Sequence, residues 1–444
     1  MSEVTDLIVG IDFGSSGLVG GIARREASGK TTLLALSQVP GYVGIRRGAV
    51  HNVEVTGKNI QALLKQLLDQ AKLDAAVVNV YVGINGYTIH SIEAKSNMTM
   101  SGDERLNESH LEELNDDAQL MISEDLCTID VFPQDFLVDG KSDTNPVGTM
   151  PGFVEARFKF VVGQSFLFKN LDACFESLNL EYELVLGSLA SAEAVLKLEE
   201  KTKGVVVVDF GSETTSIIVF KNNIVRYAVV LPFGGNNINK DLQQLNLEVQ
   251  EAERLKIEKG SAIHYNEQDD VQEDASESYT AFDKEANEVI VARIEEIIEN
   301  LYAQIRYAGI EPQRLTEGIV ITGGASQLTG MSTVITKKTG MSVRIGDPSQ
   351  SIILPAGMVV GPEDAQCIGL LLLGNKDCLE AKTKVAPHKD TVVSEPVLDG
   401  FESKKEPEIK KIKKEPVTKP IKRRSNIMGS LLIKMKGIFD DEDI

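Results

Sequence analysis

Ile8-Val-Gly-Ile-Asp12-Phe-Gly14-Ser15 returns about 197 residues later as Val205-Val-Val-Val-Asp209-Phe-Gly211-Ser212. In each copy a short apolar run ends in Asp and turns through Gly and Ser. A second apolar run follows, Leu18–Ala23 in one case and Thr215–Phe220 in the other. Short apolar runs punctuated by Gly and Ser are strand signals. Each copy therefore reads as strand, tight turn, strand. A third strand is predicted near Leu33–Val39 and Ile224–Leu231, then a helix over Thr56–Ala71 and Asn236–Leu245. A plan repeated at this scale implies an internal duplication.

Asp-Phe-Gly is also a protein-kinase tripeptide, but the chain has two and lacks the Gly-rich loop, strand lysine and His-Arg-Asp loop of that chemistry. Ser28-Gly-Lys-Thr31 looks like the end of a P-loop, yet Arg24 stands where the first glycine belongs, so it reads as a turn. Paired Asp turns suggest something else. Backbone N–H groups and small hydroxyls in such turns can cradle phosphate. Asp12 and Asp209 sit too close to a phosphate chain to bind it directly, and suit coordination of Mg²⁺ through water. Two such turns would face each other across a cleft with a nucleotide between them. For either turn alone, an ordinary hairpin is the plainer reading. A third element, Gly318-Ile-Val-Ile-Thr-Gly323-Gly324-Ala-Ser-Gln-Leu328, reads as an apolar strand, a paired-glycine turn and the start of an amphipathic helix. Its glycines would admit a flat ligand, and the helix dipole would favour one.

Charge and composition narrow the class. The 444 residues allow about two to four domains. With 46 Lys and Arg against 66 Asp and Glu, the net charge of −20 excludes a general nucleic-acid partner, which needs basic surface. The four cysteines form no C-x-x-C pair, so neither a zinc ribbon nor a disulfide scaffold is expected. No signal-peptide pattern opens the chain, and no window approaches 18 continuous apolar residues, so a cytoplasmic protein is expected. Residues 401–439, by contrast, carry twelve Lys and Arg against four Glu. Residues 376–424, rich in Lys, Glu and Pro, read as a flexible linker. Beyond it, at 100° per residue, Ile427, Met428, Leu431, Leu432, Met435, Ile438 and Phe439 share an arc of about 140°. Lys434 and Lys436 flank that arc, and Ile433 falls outside it. Residues 425–439 are therefore predicted to lie in a membrane interface as an amphipathic helix that favours anionic lipids.

The order of two phosphate turns and a Gly-Gly turn resembles the actin/Hsp70/sugar-kinase ATPase superfamily. Further stretches resemble FtsA, its bacterial cell-division branch: Gly44-Ile-Arg-Arg-Gly48, Val131-Phe-Pro-Gln-Asp-Phe136, Asn145-Pro-Val-Gly148, Glu251-Ala-Glu253-Arg-Leu-Lys256 and Val343-Arg-Ile-Gly-Asp-Pro348. The likeness runs from about residue 6 to 375 and resumes in the terminal segment. It implies an α/β, actin-like duplicated ATPase fold of two RNase H-like domains with an inserted α+β subdomain. Domain 1A would take residues 1–84 and 164–203, and the inserted, SHS2-like 1C would take 85–163, with a helix over Glu108–Ser123. Domain 2A would take 204–235 and 318–375. Subdomain 2B would take 236–317, including a helix over Asp283–Tyr307 and a solvated acidic loop over 266–278.

The resemblance places Asp12 and Asp209 near Mg²⁺, and Gly14, Ser15, Gly211 and Thr214 near the phosphates of ATP. Glu253 and Lys256 would contact adenine and ribose beside Gly323 and Gly324. Without the resemblance, Glu253 and Lys256 are an exposed i, i+3 pair. The implied function is a peripheral adaptor at the inner face of the cytoplasmic membrane at the division site. Such a protein binds ATP, self-assembles as actin does, contacts other division proteins and anchors FtsZ. An active ATPase of the chaperone or sugar-kinase type and an MreB-like filament protein are the alternatives. Two departures from the family pattern stand out. Gly17 replaces a usual Lys, and Gly211-Ser212-Glu213-Thr214 replaces a Gly-Gly-Gly-Thr run. The first removes a cation. An ionised, inward-facing Glu213 about 4 Å from a phosphate would repel it by roughly 4 kcal/mol at a dielectric near 20. Hydrolysis is thus expected to be weak at most.

Overall fold

Two five-stranded units carry the duplicated plan in the computed structural model, which describes residues 6–265 and 280–381. The first unit runs in spatial order Thr31–Pro40, Gly17–Arg25, Asp6–Gly14, Asn79–Ile84, Glu181–Leu186. The second runs Ile224–Leu231, Thr215–Lys221, Val205–Phe210, Ile319–Thr322, Val343–Ile345. Each begins as an antiparallel meander and adds two strands parallel to the meander's first strand. Parallel addition requires a crossover, which the intervening segments supply. The predicted third strands appear at Thr31–Pro40 and Ile224–Leu231, and the predicted helices at Val53–Ala71 and Gly235–Leu242. Ser28-Gly-Lys-Thr31 is a turn closed by the Glu26 N–H on the Lys30 carbonyl at 2.9 Å.

The two units exchange helices. Gly187–Val195, which follows the first sheet, leans on Val205–Phe210 and Thr215–Lys221 of the second. Ala365–Leu373, which follows the second sheet, leans on the strands Asp6–Gly14 and Gly17–Arg25 of the first. The helices also pack on each other, and Gly369 lies so close to the Ala190 carbonyl that no side chain fits there. Residues 365–373, expected with the second domain by sequence, thus contribute Ile368, Leu370 and Leu371 to the first core. Along Val205–Phe210, side chains alternate between two cores, as the strand period dictates. Val205 and Val207 face the first, and Val206, Val208 and Phe210 the second.

The inserted segment extends the second sheet, although it interrupts the first half in sequence. Lys141–Asp143, Leu126–Val138, Phe153–Gln164 and His90–Thr99 continue beyond Ile224–Leu231, making nine strands in all. The seam is narrow. Val229 pairs with His90, and the Ala228 N–H donates to Ser91 Oγ at 3.1 Å. A separate core of Val131, Phe158 and Phe160 packs with Leu111 and Leu114 of the helix Glu108–Gln119.

Three boundaries differ from the sequence reading. The helix predicted at the paired glycines is a 3₁₀ turn over Gly324–Gln327, and the α-helix begins only at Met331 after Gly330. No α-helix dipole therefore starts at the glycines. The helix predicted over Glu108–Ser123 ends at Gln119. Residues 376–381, predicted as the start of the linker, belong to the fold instead: Leu379–Ala381 pairs with Ala75–Val77 and the Cys378 N–H donates to the Leu7 carbonyl at 2.8 Å. The rest of that linker, the 425–439 segment and the acidic 266–278 stretch lie outside the described residues. Among the described residues, no helix is long and apolar enough to cross a membrane.

Candidate functional site

Asp12 and Asp209 occupy equivalent places. Each lies near the C-terminal end of its unit's central strand, beside the parallel neighbour: Asp12 opposite Gly83, Asp209 opposite Thr322. In α/β sheets that end is where ligands bind. The exchanged helices hold both carboxylates. Gln366 Nε2, from the later helix, donates to Asp12 Oδ1, and Asn85 Nδ2 donates to Gln366 Oε1. Ser191 Oγ, from the earlier helix, donates to Asp209 Oδ2 at 2.6 Å. Each half's helix thus grips the other half's aspartate.

A third acid, Asp364, faces the same region, with its carboxylate accepting from the Gly361 N–H at 2.9 Å. Burial raises the affinity of all three carboxyls for a proton. Asp12 lies well above its ordinary value of 3.8, because the charges of Asp209 and Asp364 add to its burial. The hydrogen bond from Gln366 only partly opposes this. Such a group penalises the ligand-free fold when ionised. The penalty is full above the raised folded value, shrinks as pH falls toward 3.8, and vanishes below it. Asp12→Asn keeps the acceptor for Gln366 and is expected to raise the ligand-free melting temperature at pH 8. Its advantage should shrink as pH falls toward 4, in thermal melts at matched ionic strength. A variant no more stable than the parent at pH 8 would contradict this electrostatic account.

The turns close around these acids. In the first, the Gly48 N–H donates to Ser15 Oγ at 3.0 Å, tying the 44–48 loop to the turn. A side chain at Gly17 would meet the Val39 carbonyl at 2.6 Å, so this backbone is fitted to glycine rather than to the usual Lys. In the second, the Gly211 N–H donates to the Thr214 carbonyl at 2.9 Å. The Gly235 and Asn236 N–H groups donate to the Gly211 and Ser212 carbonyls at 3.0 and 2.6 Å. Gly323 adopts φ +82°, and any side chain there would strike the Asp209 carboxylate. A side chain at Gly324 would meet nothing within 4 Å. On the helix Val249–Lys259, Lys256 Nζ donates to Glu253 Oε2 at 2.7 Å and reaches the Gly235 carbonyl at 3.4 Å. Asn239 Nδ2 also donates to Glu253. A Cβ built at Gly235 would lie 3.4 Å from Lys256 Nζ and 3.3 Å from Ala325 Cβ. The Glu253–Lys256 pair, the second turn and the Gly-Gly turn are therefore neighbours.

Four buried side-chain polar atoms lack a partner among the described residues, and three adjoin this region: Asn85 Oδ1, Ser212 Oγ and Asn239 Oδ1. Leaving such a group unpaired costs about 1–3 kcal/mol, so their concentration here marks a place made to receive polar atoms. Among the described residues, no three His, Cys, Asp or Glu side chains form a direct metal-ligand set. The structure brings together the two aspartates and the turn glycines that the sequence singles out. Sequence reasoning missed Gln366, Ser191, Asn85 and Asp364. The available signal was Gln366, an amide inside the otherwise apolar helix Ala365–Leu373; Ser191 shares its helix with Ser188 and Glu193 and carried no such mark.

The family model of cell division protein FtsA matches residues 206–369. The chain is 30% identical to cell division protein FtsA of Neisseria meningitidis serogroup B over 81% of its own length and 88% of that protein. It belongs to the FtsA family. FtsA of Bacillus subtilis is 28% identical over 78% of this chain and 79% of its own. FtsA of Escherichia coli K12 is 25% identical over 87% and 94% respectively. Among solved structures, a chain of the PilM–PilN type IV pilus biogenesis complex superposes with a TM-score of 0.60 at 17% identity, covering 82% of this chain and 97% of that one. At that identity the likeness concerns fold alone. This FtsA-family chain has the actin-like, duplicated α/β fold.

Proposed function

We propose that this FtsA-family chain is a membrane-tethering adaptor of the division ring that clasps an adenine nucleotide between its duplicated halves. The observation that carries the nucleotide reading is the gathering of both Asp turns, the Gly-Gly turn and the Glu253–Lys256 pair around one region edged by orphaned polar atoms. Bound Mg²⁺ would supply the positive charge that three crowded carboxylates lack, and the nucleotide would supply phosphate oxygens that accept from turn N–H groups. Asp12 and Asp209 would hold the cation through water, their carboxylates aimed by Gln366 and Ser191. Gly14, Ser15, Gly211 and Thr214 would face the phosphates. Gly323, Gly324, Glu253 and Lys256 would surround the nucleoside. ATP hydrolysis would be slow, because Gly17 offers no cation.

The same reading assigns residues 1–84 and 164–203 to 1A, 85–163 to 1C, 204–235 and 318–375 to 2A, and 236–317 to 2B. Asn85 at the start of 1C reaches the cleft through Gln366, so the insertion is not wholly remote from the ligand. FtsZ would dock on 2B, and 1C would serve self-association and other division proteins. The 425–439 segment would attach the chain peripherally to the inner face of the cytoplasmic membrane. Calorimetric titration of the full chain with Mg·ADP and Mg·ATP tests the nucleotide reading. One site per chain is expected, and no binding of either nucleotide overturns it.

A further inference from the structure

Glu213 departs from the family pattern, and its side chain spans the two halves. Glu213 Oε2 accepts the backbone N–H of Arg47, from the first half, at 2.7 Å. Glu213 Oε1 accepts Asn236 Nδ2, from the second half, at 3.3 Å. One carboxylate thus gives one oxygen to each side of the cleft.

Both sides of this bridge are held in place. Arg47 adopts φ +48° and turns its guanidinium over the Tyr87 ring, 5.7 Å from the centroid, which leaves its backbone N–H directed at Glu213. The neighbouring Gly48 N–H is fixed on Ser15 of the first turn at 3.0 Å. On the other side, Asn236 and Gly235 anchor the Ser212 and Gly211 carbonyls of the second turn. A phosphate chain held by both turns would end between them, where its terminal oxygens would take N–H donors from either half. Glu213 already makes that connection, with an anion of the same sign.

We propose that Glu213 is a built-in substitute for a terminal phosphate: it latches the cleft across Arg47 and makes the site select nucleoside diphosphates over triphosphates. The inference rests on the nucleotide reading above. A diphosphate ends short of the latch and leaves it closed. A triphosphate must expel the carboxylate from Arg47 or share the space with a like charge. Closure, which a family member without this carboxylate would draw from the ligand, is then supplied by the chain itself.

The test titrates the full chain calorimetrically with Mg·ADP and with Mg·AMPPNP, a triphosphate analogue that resists hydrolysis, in the parent and in Glu213→Gln. Gln keeps an acceptor for Arg47 and removes the charge. The parent is expected to bind the diphosphate at least about tenfold more tightly, and Glu213→Gln to bring the two affinities within about threefold by tightening the triphosphate. A preference unchanged by Glu213→Gln, with both ligands still bound, overturns the inference and leaves the nucleotide reading standing. Equal weakening of both ligands also overturns it, as that is the mark of a merely structural residue. Failure of both proteins to bind either ligand removes the nucleotide reading and this inference together. In the ligand-free protein, hydrogen exchange at the Arg47 amide should be at least about tenfold faster in Glu213→Ala than in the parent. Equal rates would show that there is no latch.

Discussion

Asp209→Ala is expected to weaken Mg·ADP binding by roughly 10- to 100-fold while leaving the ligand-free chain folded. A charge-assisted hydrogen bond is worth about 1.5–3 kcal/mol, which converts to that range of affinity. The fold should tolerate the change because the carboxylate is not a stabilising group in the absence of ligand. Burial raises its proton affinity, and its charge burdens Asp12. Among the described residues, the side-chain bond lost is that from Ser191 Oγ. Ser191→Ala, which leaves the charge but frees its orientation, should weaken binding less. Titration calorimetry with a parallel urea melt separates the two effects. Binding unchanged in Asp209→Ala would remove the aspartate from the site, and a collapsed melt would make it structural.

Replacing Leu431 and Leu432 with Glu is expected to release the chain from anionic vesicles by roughly a hundredfold or more. Burying a Leu side chain contributes about 1.5–3 kcal/mol, so losing two removes at least about 3 kcal/mol before the added charges are counted. At helical spacing both residues would fall on the apolar arc shared by Ile427, Met428, Met435, Ile438 and Phe439. Lys422, Arg423 and Arg424 precede the segment, and each basic residue near an anionic leaflet adds about 1 kcal/mol. Attachment should therefore also fall as salt rises and as the anionic lipid fraction drops. Co-sedimentation with vesicles of phosphatidylglycerol and phosphatidylethanolamine measures both. Equal pelleting of variant and parent would show that this segment is not the anchor.

The parts of the site legible in the sequence are those with a local signature. Asp12 and Asp209 announce themselves because strand, acid and glycine turn are contiguous in the chain. Gln366 and Ser191 do not, because the contact that gives each its role joins separate elements; Gln366 lies 354 residues from Asp12. Glu213 stands out as a departure, but its partner in the other half is a backbone N–H, and a backbone donor carries no residue signature. The Gly323-Gly324 turn was read correctly as a turn and wrongly as a helix start. A 3₁₀ turn and Gly330 at φ +78° intervene before Met331. The duplicated strand order followed from the repeated hydrophobic plan. The attachment of the inserted sheet did not, since it is made by contacts distant in sequence, such as the Ala228 N–H on Ser91 Oγ across 137 residues and the Val230 N–H on the Ile89 carbonyl. The late helix Ala365–Leu373 gave no sequence sign that it crosses to the other half. The close approach at Gly369 explains how it does so.

We propose that this one chain links FtsZ to a membrane, and reconstitution on vesicles is the decisive measurement. Fluorescent FtsZ, polymerised with GTP, is mixed with anionic vesicles and either the full chain or its Leu431→Glu/Leu432→Glu variant. FtsZ polymers are expected to coat vesicles in the presence of the full chain, and to remain in solution without it or with the variant. Vesicles that carry the full chain but gather no FtsZ would contradict the adaptor claim, as would FtsZ recruited equally well by the variant.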